Sequence, residues 1–333
     1  MVDQRARYRL HIENGRTSPS VFHITPERYA EACQRYPDEA RVIDVTFGWD
    51  GEQFSAARQT ASFLIGWKFP LTELALGAPN LKWIHVTGAG IEHLLPLTWL
   101  PAGVQLTNNR GVHAEKAGEF IAMAVLALNA HLPFYQTSKL NRRWDRVFAS
   151  TVRGKTVLIV GMGSMGGAGA QRCKELGLHV IGVARNSTHH PHAHKMVTTG
   201  DLHAVLPEAD FLVLTVPLTS QTRGLIGQKE LDLLKPGAGI VNVARAGVLD
   251  YRVLARKLEC GAVSGAFLDV FDPEPLPAES FLWDVPNLVI TPHVSSDDAQ
   301  AYVPKTLDLF FQNLRRFVAG EPLMNRVEAA LEY

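Results

Sequence analysis

Three cysteines in 333 residues, Cys33, Cys173 and Cys260, are too few and too scattered for a disulfide framework or a thiolate metal site. An odd, small number of thiols fits a reducing cytoplasm. Charge of one sign is also missing. Lys plus Arg and Asp plus Glu stand at 33 each, a formal net charge of +0, so no global field favours nucleic acid or a membrane surface. No apolar run approaches the roughly 18 residues of a membrane span; the best candidate, residues 120–128, is too short. The N-terminus carries Arg5, Arg7 and Arg9 and no apolar core, which argues against a signal peptide. Internal repeats and low-complexity tracts are absent too. The expectation is a cytoplasmic protein with neither a nucleic-acid nor a membrane partner.

What is present points to two domains, because single cores stop growing well below this length. Residues 62–66 and 81–86 are short apolar runs, the second ending at Gly88, Ala89 and Gly90. Alternation of such strands with helices predicts an open parallel sheet covered by helices. Ala117, Ile121, Ala124, Val125 and Leu128 recur at three- and four-residue steps, predicting one long helix over residues 113–131 that bridges the domains and stops at Pro133. Six further strands are predicted at 156–160, 179–183, 211–215, 239–243, 264–269 and 288–291. With helical spacers they make a second doubly wound sheet. A last helix is expected to be capped by Ser295 or Ser296, with Asp297 and Asp298 in its first turn, a possible kink at Pro304 and an end near Gly320.

Gly161, Gly163, Ser164, Met165 and Gly166 form a G-x-G-x-x-G turn between the strand at 156–160 and a helical stretch. The glycines allow a tight turn, close approach of a pyrophosphate and close helix–strand packing, and the helix N-terminus offers free N–H groups. An NAD site usually carries an acid at the end of the next strand. Here that end reads Arg185, Asn186, Ser187 and Thr188. A guanidinium and hydroxyls suit a 2′-phosphate, so NADP is favoured and NAD stays open. His189, His190, His192, His194 and Lys195 add basic character; a metal site is the alternative reading of the histidines, although their spacing is loose.

Three motifs follow late strands: Arg245, Glu274 in a proline-rich loop, and His293 in Thr291-Pro292-His293. Reducing a 2-keto acid needs a cation for the carboxylate, an acid for the carbonyl oxygen and an anion to keep that acid charged. Arginine, histidine and glutamate fill those roles. Each also has a structural reading, as ion-pair partner, capping residue and loop anchor.

The sequence resembles the D-isomer-specific 2-hydroxyacid dehydrogenases. The matching stretches are 216–222, 234–237, Asn242-Val243-Ala244-Arg245, 268–271 with Glu274-Pro275, and 291–293. The resemblance implies a fold of two doubly wound α/β domains. A Rossmann domain (111–295) is inserted into a flavodoxin-like substrate domain (1–110 and 296–333). It implies Arg245 as substrate-binding, His293 as acid/base and Glu274 as its partner. Val216, Pro217, Thr222, Val243, Ala244, Asp269 and Ser295 are implied around the cofactor, and Gly88, Ala89 and Gly90 around the substrate. Trp67, with residues 65–70 and 86–90, points to the glyoxylate/hydroxypyruvate reductase branch, which prefers NADPH. A homodimer is implied as well. Ala246 and Ser295 stand where family members often carry smaller residues, which leaves substrate shape open. The alternatives are a dinucleotide-sensing corepressor-like protein and a phosphite- or formate-type oxidising dehydrogenase.

Overall fold

The computed structural model describes residues 7–186 and 189–328, so Ser187 and Thr188 lie outside the described residues. The chain divides into two compact units, Met1–Val112 with Asp298–Tyr333, and His113–Asp297.

The first unit holds a parallel sheet of β1 (Tyr8–Asn14), β2 (Ile43–Trp49), β3 (Phe63–Gly66), β4 (Trp83–Val86) and β5 (Gln105–Thr107), in the order β2-β1-β3-β4-β5. This is the flavodoxin-like order. Side chains alternate between two faces as the pleat requires. Phe63 and Ile65 pack in one core with Leu10, Ile12 and Trp83, and Leu64 packs in the other with Ile84 and Val86. The helix Tyr302–Val318 covers the first of these faces through Val303, Leu307, Phe310, Phe311 and Leu314.

The second unit holds β6 (Thr156–Val160), β7 (His179–Ala184), β8 (Lys195–Thr198), β9 (Phe211–Leu214), β10 (Ala238–Asn242), β11 (Val263–Leu268) and β12 (Leu288–Ile290). Their order is β12-β11-β10-β9-β6-β7-β8, all parallel. Chain order reverses between β6 and β9, the switch point at which open sheets of this kind bind ligands. Leu158 and Val160 face one core, Val157 and Ile159 the other. Burial on both faces is why these strands read as unbroken apolar runs.

The structure corrects four expectations. Among the described residues the second sheet has seven strands, since Lys195–Thr198 forms an edge strand too short and polar to stand out. The helix Ala114–Asn129 belongs to the second unit. It stops before His131, which is left-handed at φ 56°, and Pro133 sits in the first turn of a new helix, Leu132–Leu140. Proline is tolerated there because that N–H has no helical partner anyway. Pro304 is placed in the same way in the first turn of Tyr302–Val318. That helix is not capped by Ser295 or Ser296: Asp298 Oδ1 accepts from Gln300 N and Ala301 N at 2.9 and 2.8 Å. No single helix among the described residues is long and apolar enough to cross a membrane.

Candidate active site

Register lines the strand ends up. Val160, Leu214, Asn242, Leu268 and Ile290 are consecutive partners across the second sheet. The chain therefore leaves β6, β9, β10, β11 and β12 from one edge, which carries the glycine turn and the loops of Arg245, Glu274 and His293.

Gly161 has φ 103°, and a Cβ on Gly166 would lie 1.8 Å from Gly161 O, so both glycines are required by the turn itself. Gly163 differs. It caps the helix Ser164–Glu175, is exposed, and an added Cβ would meet nothing within 4 Å. Internal packing does not explain its bareness, whereas a ligand approaching the helix N-terminus does. Ser164 and Met165 open that helix. Thr215, which the sequence reading missed, locks the turn by donating to Gly161 O at 2.6 Å. Val216 packs beside Gly161. Thr222 closes the next loop, donating to Pro217 O at 2.6 Å and accepting from Thr219 N at 2.8 Å. The residues present fit a dinucleotide's pyrophosphate.

Arg185 and Asn186 are exposed just past β7, with no acid at the strand end. The histidines behind them are engaged in packing: His190 lies against Gly167, and His194 accepts from Val180 N at 3.0 Å while stacking on His179. Burial first, and then His192 and His189, lower the His190 pKa. No group of three or more metal-ligating side chains is found among the described residues.

His293 Nδ1 lies 2.8 Å from Glu274 Oε2, while Glu274 Oε1 accepts from Phe271 N at 2.8 Å. A carboxylate only accepts, so the imidazole donates from Nδ1 and keeps Nε2 for another partner. Both side chains are partly exposed, His293 at 41%. His293 has φ 53°, a left-handed conformation held by the turn it occupies. Asp269 is fully buried and anchors that turn, accepting from Thr291 Oγ1, Val294 N and Ser295 N at 2.6, 3.0 and 2.9 Å. Ser295 is likewise buried.

Arg245 follows β10 in extended conformation, its Nη1 donating to Ala244 O at 2.7 Å. Val243 and Ala244 are buried in the cores beneath it. Asn242 fixes this loop. Its Oδ1 accepts from Ala244 N, and its Nδ2 donates to Arg245 O and Tyr251 Oη at 3.2 and 3.1 Å. Tyr251 Oη donates in turn to Val270 O at 2.6 Å, tying the Arg245 loop to the segment that leads to Glu274. The structure thus pairs Glu274 with His293 and sets Arg245 on the neighbouring loop. Tyr251 went unnoticed, and Asn242 was read only as part of the Asn242–Arg245 stretch; the bond from Tyr251 to Val270, 19 residues on, is met only in the fold.

In the first unit, Gly88, Ala89 and Gly90 follow β4. Asn109 N donates to Gly88 O and Asn108 Nδ2 to Ala89 O, at 2.9 and 2.8 Å. Trp67 lies over Gly88, where any Cβ would fall 2.1 Å from the indole, and its ring sits 3.9 Å from that of His93. Beneath the loop, His85 is fully buried between Thr107 Oγ1 and Asn109 Oδ1 at 2.8 and 3.0 Å, and burial pushes its pKa down to about 4.

The chain is similar to known proteins of one family. The family model described as D-isomer specific 2-hydroxyacid dehydrogenase, NAD binding domain, matches residues 122–295. A glyoxylate reductase of Thermococcus litoralis is 32% identical over 260 residues, covering 75% of this chain and 77% of that protein. A D-isomer specific 2-hydroxyacid dehydrogenase from Xanthobacter autotrophicus Py2, solved with NADPH and MES, superposes with TM-score 0.84 at 27% identity over 99% of this chain and all of that one. The NADPH-dependent glyoxylate/hydroxypyruvate reductase of Sinorhizobium meliloti, solved with NADP and sulfate, gives TM-score 0.81 at 25% identity over 98% and 100%.

Proposed function

The chain belongs to the D-isomer specific 2-hydroxyacid dehydrogenase family, and we propose on that footing that it reduces a small 2-keto acid of the glyoxylate or hydroxypyruvate kind with NADPH. The observation that carries this reading is the Glu274–His293 pair at 2.8 Å, presented at the strand edge that also bears the glycine turn and Arg245. When bound, a reduced nicotinamide supplies hydride to the substrate's C2. His293 donates the proton from Nε2 to the carbonyl oxygen as negative charge develops there. Glu274 holds the imidazole by Nδ1 and balances its positive charge. Arg245 binds the substrate carboxylate through its planar fork. Gly161, Gly163, Ser164, Met165 and Gly166 cradle the pyrophosphate, and Val216, Pro217, Thr222, Val243, Ala244, Asp269 and Ser295 frame the rest of the cofactor. Asp269 acts by fixing the turn that carries His293.

Arg185 and Asn186 receive the 2′-phosphate of NADPH, a preference supported by the missing acid after β7 and by the NADPH and NADP in the two solved relatives. Gly88, Ala89, Gly90 and Trp67 contribute to substrate selection. The active form is a homodimer in the cytoplasm. Leu140, Trp144 and Phe148 support the dimer, being 84%, 88% and 88% exposed on one stretch of the second unit. The test is loss of nicotinamide absorbance with glyoxylate, hydroxypyruvate and phenylpyruvate, each offered with NADPH and with NADH. Turnover with at least one keto acid, faster with NADPH, is the expected result. Silence with every keto acid and both cofactors would overturn it.

A further inference from the structure

Tyr251 opens the helix Tyr251–Glu259, whose first turn is fixed by Asp250 Oδ1 accepting from Arg252 N and Val253 N at 2.9 and 3.0 Å. Its ring meets Phe271 edge-on, with centroids 6.2 Å apart. Its hydroxyl donates to Val270 O at 2.6 Å and accepts from Asn242 Nδ2 at 3.1 Å. Val270 O and Phe271 N belong to one trans peptide, and that same N–H donates to Glu274 Oε1 at 2.8 Å. Glu274 Oε2 in turn holds His293 Nδ1 at 2.8 Å. A peptide is planar, so fixing the direction of its carbonyl fixes the direction of its N–H. On its other side the hydroxyl receives the amide that also holds Arg245 O at 3.2 Å. Burial raises the Tyr251 pKa above its ordinary 10, so the hydroxyl keeps its proton for Val270 O at neutral pH.

We propose that Tyr251 is a positioning residue for the proton transfer: its hydroxyl sets the Val270–Phe271 peptide, and through that peptide the Glu274 carboxylate and the His293 imidazole. This rests on His293 being the proton donor. Val270 and Asn242 are both buried, so without the hydroxyl each loses a hydrogen-bond partner that water does not replace. The peptide is then free to tilt, its N–H no longer aims at Glu274, and the carboxylate spends time away from the imidazole. A less well paired imidazolium gives up its proton at lower pH. The acids on and around the His293 turn are Glu274, Asp269 and Asp297, and a change at Tyr251 removes none of them.

The experiment compares wild type, Tyr251→Phe, Glu274→Ala and the double variant. It measures kcat and KM for keto acid reduction across pH, and NADPH affinity by fluorescence. Phenylalanine keeps the ring against Phe271 and removes only the hydroxyl. Tyr251→Phe should lower kcat about tenfold and move the alkaline fall of reduction down by about half a pH unit, with NADPH affinity unchanged. In the Glu274→Ala background the same change should cost less than about twofold, because the peptide there has no carboxylate to aim. Fluorotyrosine at the same position keeps the hydroxyl and should restore both rate and midpoint. Equal losses in the two backgrounds, or an unmoved midpoint, would show a merely structural role and overturn the proposal. Full activity in Tyr251→Phe would overturn it as well. Should that variant fail to fold, protein labelled with carbon-13 at tyrosine Cζ gives the reciprocal test by NMR. Glu274→Ala should move the Tyr251 Cζ resonance, and an unmoved resonance would contradict the coupling. If instead His293→Ala retained full reduction, the assignment of the donor would fail, and the Cζ comparison would still decide whether Tyr251 acts on Glu274.

Discussion

His85 shows how a single side chain can be expensive and useful together. It is fully buried and neutral, joined to Thr107 and Asn109, and Asn109 in turn holds Gly88 O and donates to Thr306 Oγ1 at 2.7 Å. Its pKa falls from 6.5 to about 4. The unfolded chain binds the proton first, so stability is complete above about 6.5 and is lost as pH falls towards 4. The loss attributable to His85 is on the order of 3 kcal/mol. Melting curves between pH 7 and pH 4 should show His85→Asn losing less stability on acidification than wild type; parallel losses would remove His85 from the account. Arg185 makes the second prediction. Arg185→Ala should raise the KM for NADPH about tenfold or more and leave that for NADH nearly unchanged. An equal rise for both cofactors would contradict phosphate recognition. Arg245, Glu274 and His293 stood out in the sequence because each follows a predicted strand, and the structure pairs Glu274 with His293. Thr215 and Tyr251 did not, because the carbonyls they hold, Gly161 O and Val270 O, lie 54 and 19 residues away and meet them only in the folded sheet.

The glycine turn and the helix behind it are one working unit. Gly166 is confined by Gly161 O, and Thr215 holds the same carbonyl from β9. Gly166→Ala should therefore displace the turn and weaken dinucleotide binding at least about tenfold, measured by fluorescence titration with NADPH. Gly163→Ala meets no protein atom, so its effect should appear in cofactor affinity and not in melting temperature. Unchanged affinity in both variants would mean that the turn holds no phosphate. Legibility of the elements followed their burial. β6 and β9 to β12 are mostly apolar and were read within a residue or two at each end. β8 is a polar edge strand and was missed. β1 alternates Leu10 and Ile12 with His11 and Glu13, whose side chains pair at 2.9 Å inside the protein, so buried polar groups kept this strand from standing out as an apolar run.

The chain as a whole follows two strand orders, β2-β1-β3-β4-β5 and β12-β11-β10-β9-β6-β7-β8. Apolar alternation predicted parallel α/β sheets, whereas the enclosure of one domain by two segments of the other came from the family resemblance. Composition gave no sign of assembly. The exposed Trp144 and Phe148 do, since aromatics left in water at this level commonly mark an interface. Trp144→Ser with Phe148→Ser should convert a dimer to a monomer in light scattering after gel filtration. A wild-type monomer at micromolar concentration, or a double variant that remains dimeric, would refute the proposed interface.

The most direct measurement is single-turnover reduction of glyoxylate or hydroxypyruvate by NADPH-loaded wild-type enzyme and His293→Ala, followed at the nicotinamide absorbance band. Wild type should consume NADPH, and the variant should do so about 10²–10⁴-fold more slowly while binding NADPH with unchanged affinity. Equal rates in the two proteins would contradict the assignment of His293 as the proton donor.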